Sequence, residues 1–454
     1  MNTSILLLLL ALPFGSEFQA NTRTSLSQAN AAITTDPNGG FIVIWSSYFS
    51  SSSNDIIGRR FNSDCNSIGE EFPINTITTG NQTEPSVASD SFGNFVVTWQ
   101  GPGLTVGDNG DIFARRYDAN GTPHNQQWPV NSDTNDIQQH PRIAFNYGGK
   151  SVIVWDSNSA GIKGIRKICG QLYDSNGLCI DKEFIVNDEI YDSRYPNVTM
   201  DSNGGFAVVW TQGKNTTSNI IKARLYNADG SARTSSFMVS TTIFSSLTRP
   251  AIAMGRSGSF VVTWDGDPNR AKDDDIHARI FEPNGAPLGG QFIVNTTIKG
   301  PQQNPQIAMN NTGDFVIVWD SNSTIDPNIN NKTEILGQRF DSSGRRIGSE
   351  FRLNTFMEKD QKNPDIVLYD NGKFIAVWQS DEQDGSDWGI FGSSGSFTTV
   401  ADLNADGVVD FRDYSFLAYS WGKEDTLLSN LVGDDKIDGL DLAEFCRRWL
   451  KQYK

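Results

Sequence analysis

GGFIVIW (39–45), GNFVVTW (93–99), GKSVIVW (149–155), GGFAVVW (204–210), GSFVVTW (258–264), GDFVIVW (313–319) and GKFIAVW (372–378) are seven versions of one phrase. Each sets a glycine before a run of mostly β-branched and aromatic residues that ends on tryptophan. The tryptophans follow one another at 54, 56, 55, 54, 55 and 59 residues. Self-similarity at a fixed period of this length marks a repeat architecture, in which each unit buries its apolar face against the next.

The flanks of the phrase repeat as well. Upstream lies a segment after a proline, as in PSVASD from Pro85 or PQIAMN from Pro305, and then a polar turn. Downstream comes a third segment, as in DIFARRYD from Asp111, DIHARIFE from Asp275 and EILGQRFD from Glu334. After another glycine turn a short fourth follows: EFPIN from Glu71, EFIVN from Glu183, QFIVN from Gln291, EFRLN from Glu350. Such runs between Gly and Asn turns are what antiparallel hairpins require. Four strands per unit in seven units predict an all-β seven-bladed propeller of four-stranded antiparallel blades, over residues 16–400.

The ends predict how the ring closes. The seventh unit has its third segment at WGIFGSSG, from Trp388, and runs on into FTTVADLN without a fourth. The missing piece stands at the other end, where EFQANT (17–22) matches EFPINT (71–76) and Gln28 matches Gln82. Glu17–Asn21 is therefore expected to complete the last blade, which leaves no open sheet edge. The apolar run ILLLLLALPF (5–14) is short for a bilayer span and reads as the core of a signal peptide over residues 1–15. Cleavage is expected before Glu17, near Gly15 or Ser16, and the chain is expected to be secreted, extracellular or surface-associated with no membrane span.

A formal charge of −16 disfavours nucleic acid, whose phosphates it would repel. Of four cysteines, Cys169 and Cys179 could bridge one hairpin, while Cys65 and Cys446 sit in different modules. The seven tryptophans read as inter-blade core rather than sugar platforms. The repeated Arg60, Arg116, Arg224, Arg279 and Arg339 read as structural hydrogen-bond donors, and Asp156, Asp265 and Asp320, each just after a tryptophan, also read as structural. Histidine occurs only at 124, 140 and 277, without metal or triad spacing.

From Ala401 the pattern turns helical. DLNADGVVDFRD (402–413) places Asp402, Asn404, Asp406, Asp410 and Asp413 at positions 1, 3, 5, 9 and 12 of a twelve-residue loop, with Gly407 at the sharp turn and the Val408 carbonyl at position 7. That order of hard oxygen donors suits calcium. The segment recurs 28 residues on: NLVGDDKIDGLD (430–441) keeps Asn430, Asp434, Asp438 and Asp441, with Lys436 at position 7. It has Val432 at position 3 and Asp435 in place of the glycine, which makes it a weakened site or a loop held without metal. Each loop leads into an amphipathic segment, FRDYSFLAYSW or LDLAEFCRRWL, the first with Phe411, Tyr414, Ala418 and Trp421 on one face. This duplicated loop and helix, over about residues 401–451, resembles the type I dockerins. The resemblance implies a dockerin-like calcium-binding domain over 401–454 that docks a cohesin-like protein domain and folds with calcium as cofactor. At positions 10 and 11, where that family often has Ser-Thr, the chain has Phe411-Arg412 and Gly439-Leu440.

For the propeller the near-equal blades favour a non-catalytic binding or scaffolding role toward glycan or protein. The alternatives are a polysaccharide-degrading glycoside hydrolase or lyase, which the resemblance to dockerins brings in by association, and a structural surface protein. Chemistry, if present, is expected in the acidic loops between second and third strands, DGDPNRAKDDD (265–275) and SDEQDGSD (380–387), or in the Asn-rich loop of the sixth blade.

Overall fold

The computed structural model describes residues 15–396 apart from the loop segments 51–52, 105–109, 125, 135, 159–163, 188, 216–217, 245–247, 268–273, 298 and 323–331, together with residues 414–415, 417–418 and the helix Gly439–Gln452. The first of these regions forms seven four-stranded antiparallel sheets. Six are built from consecutive strands, inner to outer. The seventh joins Gln361–Leu368, Lys373–Asp381 and Trp388–Ser396 to Phe18–Gln19 from the other end of the chain.

The repeated phrase sets each hairpin. Its glycine is left-handed, with φ +83° at Gly39 and +92° at Gly204, a backbone that residues with a Cβ rarely adopt. The tryptophans are at most 1% exposed. Trp99 packs with Ala32, Ile42, Ile44 and Ile56 of the preceding blade, so the core lies between blades, as expected. Five indole N–H groups donate to a glutamine 17 residues upstream: Trp45 to Gln28, Trp99 to Gln82, Trp155 to Gln138, Trp319 to Gln302 and Trp378 to Gln361, at 2.8–3.2 Å. In the fourth blade Ser193 takes that place, and the Trp210 indole has no partner among the described residues.

The EF-x-x-N segment supplies two ties. Its asparagine accepts the N–H of the third strand, as Asn75 does from Ile56 and Asn131 from Ile112, both at 2.7 Å. Its first residue reaches the preceding blade, where Glu350 accepts from Thr296 N at 2.7 Å. The closing strand repeats both: Ile390 N donates to Asn21 Oδ1 at 2.7 Å, and Glu17 accepts from the Thr355 backbone and hydroxyl.

Two expectations need correction. Cys169 and Cys179 do not bridge. Cys169 faces Ile185 and Cys179 faces Tyr173, four residues further along the same strand, which separates them by about 13 Å. The five repeated arginines also fall at two different register positions. Arg224 and Arg279 are equivalent to Arg59 and Arg115, not to Arg60, Arg116 and Arg339. These four donate to carbonyls of the neighbouring outer strand: Arg59 to Ala20, Arg115 to Ile74, Arg224 to Val186 and Arg279 to Val239, at 2.7–3.1 Å. The structural role read for the repeated arginine holds for this set.

At the carboxyl end, Gly439–Gln452 is helical, as are 414–415 and 417–418. Leu417 and Phe445, equivalent across the 28-residue repeat, are both fully buried, and the Tyr414 ring lies 6.1 Å from that of Phe445. Ala418, expected on the buried face, is exposed; Leu417 takes that place. No helix among the described residues is long and apolar enough to cross a membrane.

Candidate active site

Each inner strand begins beside the central channel, and six of them begin on a bulge. The pairing with the tryptophan strand slips between Ala29 and Ala32, Thr83 and Ser86, Gln139 and Arg142, Arg194 and Asn197, Gln303 and Gln306, and Lys362 and Asp365. One residue within each slip is left-handed: Asn30, Glu84, His140, Tyr195, Asn304 and Asn363, with φ of 51–55°. A bulge re-aims a side chain, and these six line the channel. In the fifth blade Arg249 stands at the same place, 15 residues before its tryptophan. All seven line one cavity of roughly 240 Å³, with Arg142, Asn197, Gln306 and Asp365 among the residues below them.

The ring is not uniform. Three blades carry asparagine, which tolerates the left-handed region better than most residues. Four consecutive blades replace it with Glu84, His140, Tyr195 and Arg249. Their side chains form one chain of contacts. His140 Nδ1 donates to Asp156 Oδ2 at 2.5 Å, which fixes the proton on Nδ1 and leaves Nε2 facing Glu84 Oε2 at 3.6 Å. The His140 and Tyr195 rings meet edge to face with centroids 4.4 Å apart. The Arg249 guanidinium lies over the Tyr195 ring at 4.7 Å, and its Nη2 is 3.6 Å from Glu84 Oε1.

Asp156 organises this group from behind. It is fully buried, and besides His140 it accepts from Arg166 Nη1 at 2.8 Å and from the Tyr195 backbone N–H at 3.2 Å. The residue after the tryptophan holds the next blade's ring residue elsewhere too: Asp320 accepts from Asn363 N at 2.9 Å and from Asn304 Nδ2 at 2.8 Å. The aspartates after the tryptophans are thus structural, as read from the sequence, and Asp156 in addition orients a histidine. Burial pushes Asp320 up to about 8 and Asp265 up to about 6.

The acidic loops expected to carry chemistry serve the framework where they are described. Asp384 accepts from Gln19 Nε2 at 3.1 Å and Asn21 Nδ2 at 3.3 Å, tying down the closing strand, and Glu382 pairs with Lys359 at 2.8 Å. In the fifth blade Asp275 accepts from Asn295 and Asp274 from Gln303. Residues 268–273 and the Asn-rich loop 323–331 lie outside the described residues, as do the calcium-loop residues Asp402, Asn404, Asp406, Val408, Asp410, Asp413, Asn430, Asp434, Lys436 and Asp438. Asp441 is buried in the first turn of the C-terminal helix. Among the described residues no three His, Cys, Asp or Glu side chains converge as a metal site.

The sequence reading passed over His140 because its partners are distant along the chain. The overlooked signal is the residue 15 before each tryptophan. It is asparagine in three blades, and its departures carry a carboxylate, an imidazole, a phenol and a guanidinium.

No family model and no curated protein matches the chain. Solved structures do. A Dyadobacter fermentans protein of unknown function matches at 9% identity and a TM-score of 0.51, over 84% of this chain and 97% of that one. A polysaccharide lyase, an ulvan lyase with its saccharide bound, matches at 9% and 0.49, over 84% and 94%. An α-L-arabinanase from Penicillium chrysogenum matches at 11% and 0.45, over 69% and 92%. At such identities the likeness concerns the fold.

Proposed function

We propose that the propeller is a polysaccharide-degrading enzyme whose acid–base machinery is the ring segment Glu84–His140–Tyr195–Arg249, and that its reaction is β-elimination on a glycan bearing a carboxylate. The observation behind this is the break in the repeat, which gathers four chemically distinct side chains on one cavity where a purely structural ring would repeat one residue. His140, oriented by Asp156, takes the proton α to the sugar carboxylate through Nε2. The released electron pair forms the new C=C bond, the glycosidic C–O bond breaks, and the leaving oxygen takes its proton from the Tyr195 hydroxyl. Arg249 faces the carboxylate and stabilises the negative charge that develops there.

A two-carboxylate hydrolase is less well supported. Glu84 and Asp365 are the carboxylates lining the cavity, and Asp365 already accepts the Ile33 and Ile366 N–H groups at 3.0 and 2.9 Å. The regular blades that favoured a non-catalytic module describe the framework; the ring is where the regularity stops. The deciding experiment incubates the full chain with uronate-containing polysaccharides and monitors unsaturated and reducing ends. Unsaturated ends, lost in His140→Asn and Tyr195→Phe, support elimination. Reducing ends without unsaturation would replace it with hydrolysis. Binding without turnover would return the propeller to a recognition role.

For the carboxyl-terminal segment the proposal is a calcium-dependent docking module toward a cohesin-like domain on an exported protein. Its support is the spacing of Asp402, Asn404, Asp406, Asp410 and Asp413.

A further inference from the structure

Two residues beyond His140 on the same inner strand, Arg142 lines the channel beneath the ring. Its Nη1 donates to the Pro141 carbonyl at 2.8 Å, the one hydrogen bond its guanidinium makes among the described residues. No described carboxylate forms an ion pair with it. Asp365 and Glu84 face the same space, but Asp365 is engaged by two backbone N–H groups, and Glu84 lies between His140 and Arg249. Arg249 adds a second guanidinium at the rim of the same cavity. Burial holds the pKa of Arg142 below the ordinary guanidinium value; Arg249 adds to that, while Glu84 and Asp365 oppose it.

Arg142 is half-buried and lines the cavity without an ion pair among the described residues, so its charge is partly screened from water and incompletely compensated. The arrangement becomes favourable when a ligand supplies the missing oxyanion, because the planar fork of arginine matches carboxylate and sulfate geometry. The Gln306 amide lines the same space and offers a further donor, while that of Asn197 donates to the Pro250 carbonyl at 3.3 Å. We propose that Arg142, with Arg249 above it, forms an oxyanion-binding subsite inside the channel that receives a carboxylate or sulfate ester projecting from the saccharide held at the ring. The identity of the carrier rests on the saccharide reading above; binding of the oxyanion itself does not.

Sodium sulfate is the probe, titrated calorimetrically into the full chain at low ionic strength. The expected result is saturable binding that weakens roughly tenfold or more in Arg142→Gln. In Arg142→Lys, which keeps the charge and loses the fork, binding is intermediate, and the melting temperatures of both variants show whether the fold is intact. Absence of saturable sulfate binding to the parent chain, or equal binding by folded Arg142→Gln, would overturn the subsite. With active protein, sulfate should raise the apparent KM for the saccharide in the parent and not in Arg142→Gln. Competition confined to sulfated saccharides assigns the subsite to a sulfate ester, and competition with unsulfated uronate oligomers assigns it to a carboxylate. Sulfate binding that persists without any cleavage would sink the elimination reading and leave the subsite standing.

Discussion

An asparagine is well suited to the head of an inner strand, because the left-handed backbone there strains most other residues by about 1–2 kcal/mol. Glu84, His140 and Tyr195 occupy that backbone in place of the asparagine found in three other blades. Tyr195→Asn is therefore expected to keep stability within about 1 kcal/mol while lowering turnover by roughly 10²–10⁴-fold. Trp99→Ala, which empties an inter-blade core, should cost about 3–5 kcal/mol. Parallel losses of stability and activity in Tyr195→Asn would make Tyr195 a framework residue. Asp320 carries a second prediction. Burial lifts its carboxyl from an ordinary 3.8 to about 8. Its contribution is full below about pH 4, where folded and unfolded chains both hold the proton. Above that the unfolded chain releases its proton first, so stability falls as pH rises toward 8. Asp265 and Asp365, raised to about 6, act in the same sense and finish earlier. Asp320→Asn should flatten thermal stability between pH 6 and 8 and melt higher than the parent at pH 8. The replacement amide can still accept from Asn363, and Asn304 can turn its own amide to match. Identical pH profiles for the two proteins would mean that Asp320 is not held neutral.

The strand that closes the ring is two residues long, yet it carries several ties. Phe18 packs against the stacked pair Phe41 and Phe61 with ring centroids 5.5 and 5.2 Å away, over Gly392, where a Cβ would come within 2.6 Å of the Phe18 ring. A chain shortened to begin at Asn21 loses Phe18, Gln19 and the Glu17 contacts and leaves Trp388–Ser396 as an open edge. Its stability should fall by about 2–4 kcal/mol, from the partly buried Phe18, the buried Ala20 and the lost strand pairing, read as a lower melting temperature than that of a chain beginning at Ser16. Equal melting temperatures would show that closure does not depend on this strand. That closure was legible in the sequence because EFQANT repeats a phrase whose side chains do the same work in other blades. The blades were legible for the same reason: tryptophan, glycine and EF-x-x-N each recur with one partner. What did not repeat was harder to read. The arginines of the third strand slipped one position, since Arg59 and Arg60 stand side by side and only the pairing of Trp45 with Ile57 tells them apart. The ring escaped because its members are 54–59 residues apart and meet only when the blades close. Attention to carboxylate-rich loops also favoured residues such as Asp384, whose charge anchors the closing strand.

Across the whole chain two kinds of construction stand in sequence, a propeller stabilised by contacts between blades and a C-terminal segment with two acidic loops. The chemistry proposed for the propeller is proton transfer by His140 and Tyr195 beside a charge on Arg249, with each part supplied by a side chain. The C-terminal segment is different. The charge of Asp402, Asp406, Asp410 and Asp413 within twelve residues is self-repelling without a cation, so the proposed calcium site would tie folding there to binding. Chelation should therefore separate the two. With calcium removed, cleavage by the ring should be unchanged within about twofold, while a low-temperature calorimetric transition belonging to residues 401–454 disappears. Asp402→Ala combined with Asp406→Ala should have the same effect in the presence of calcium and abolish tight calcium binding by titration. Unchanged calcium binding in the double variant would remove the first loop as the site. Loss of cleavage on chelation, with the double variant fully active, would place a required cation in the propeller and replace the metal-independent roles given to His140 and Tyr195.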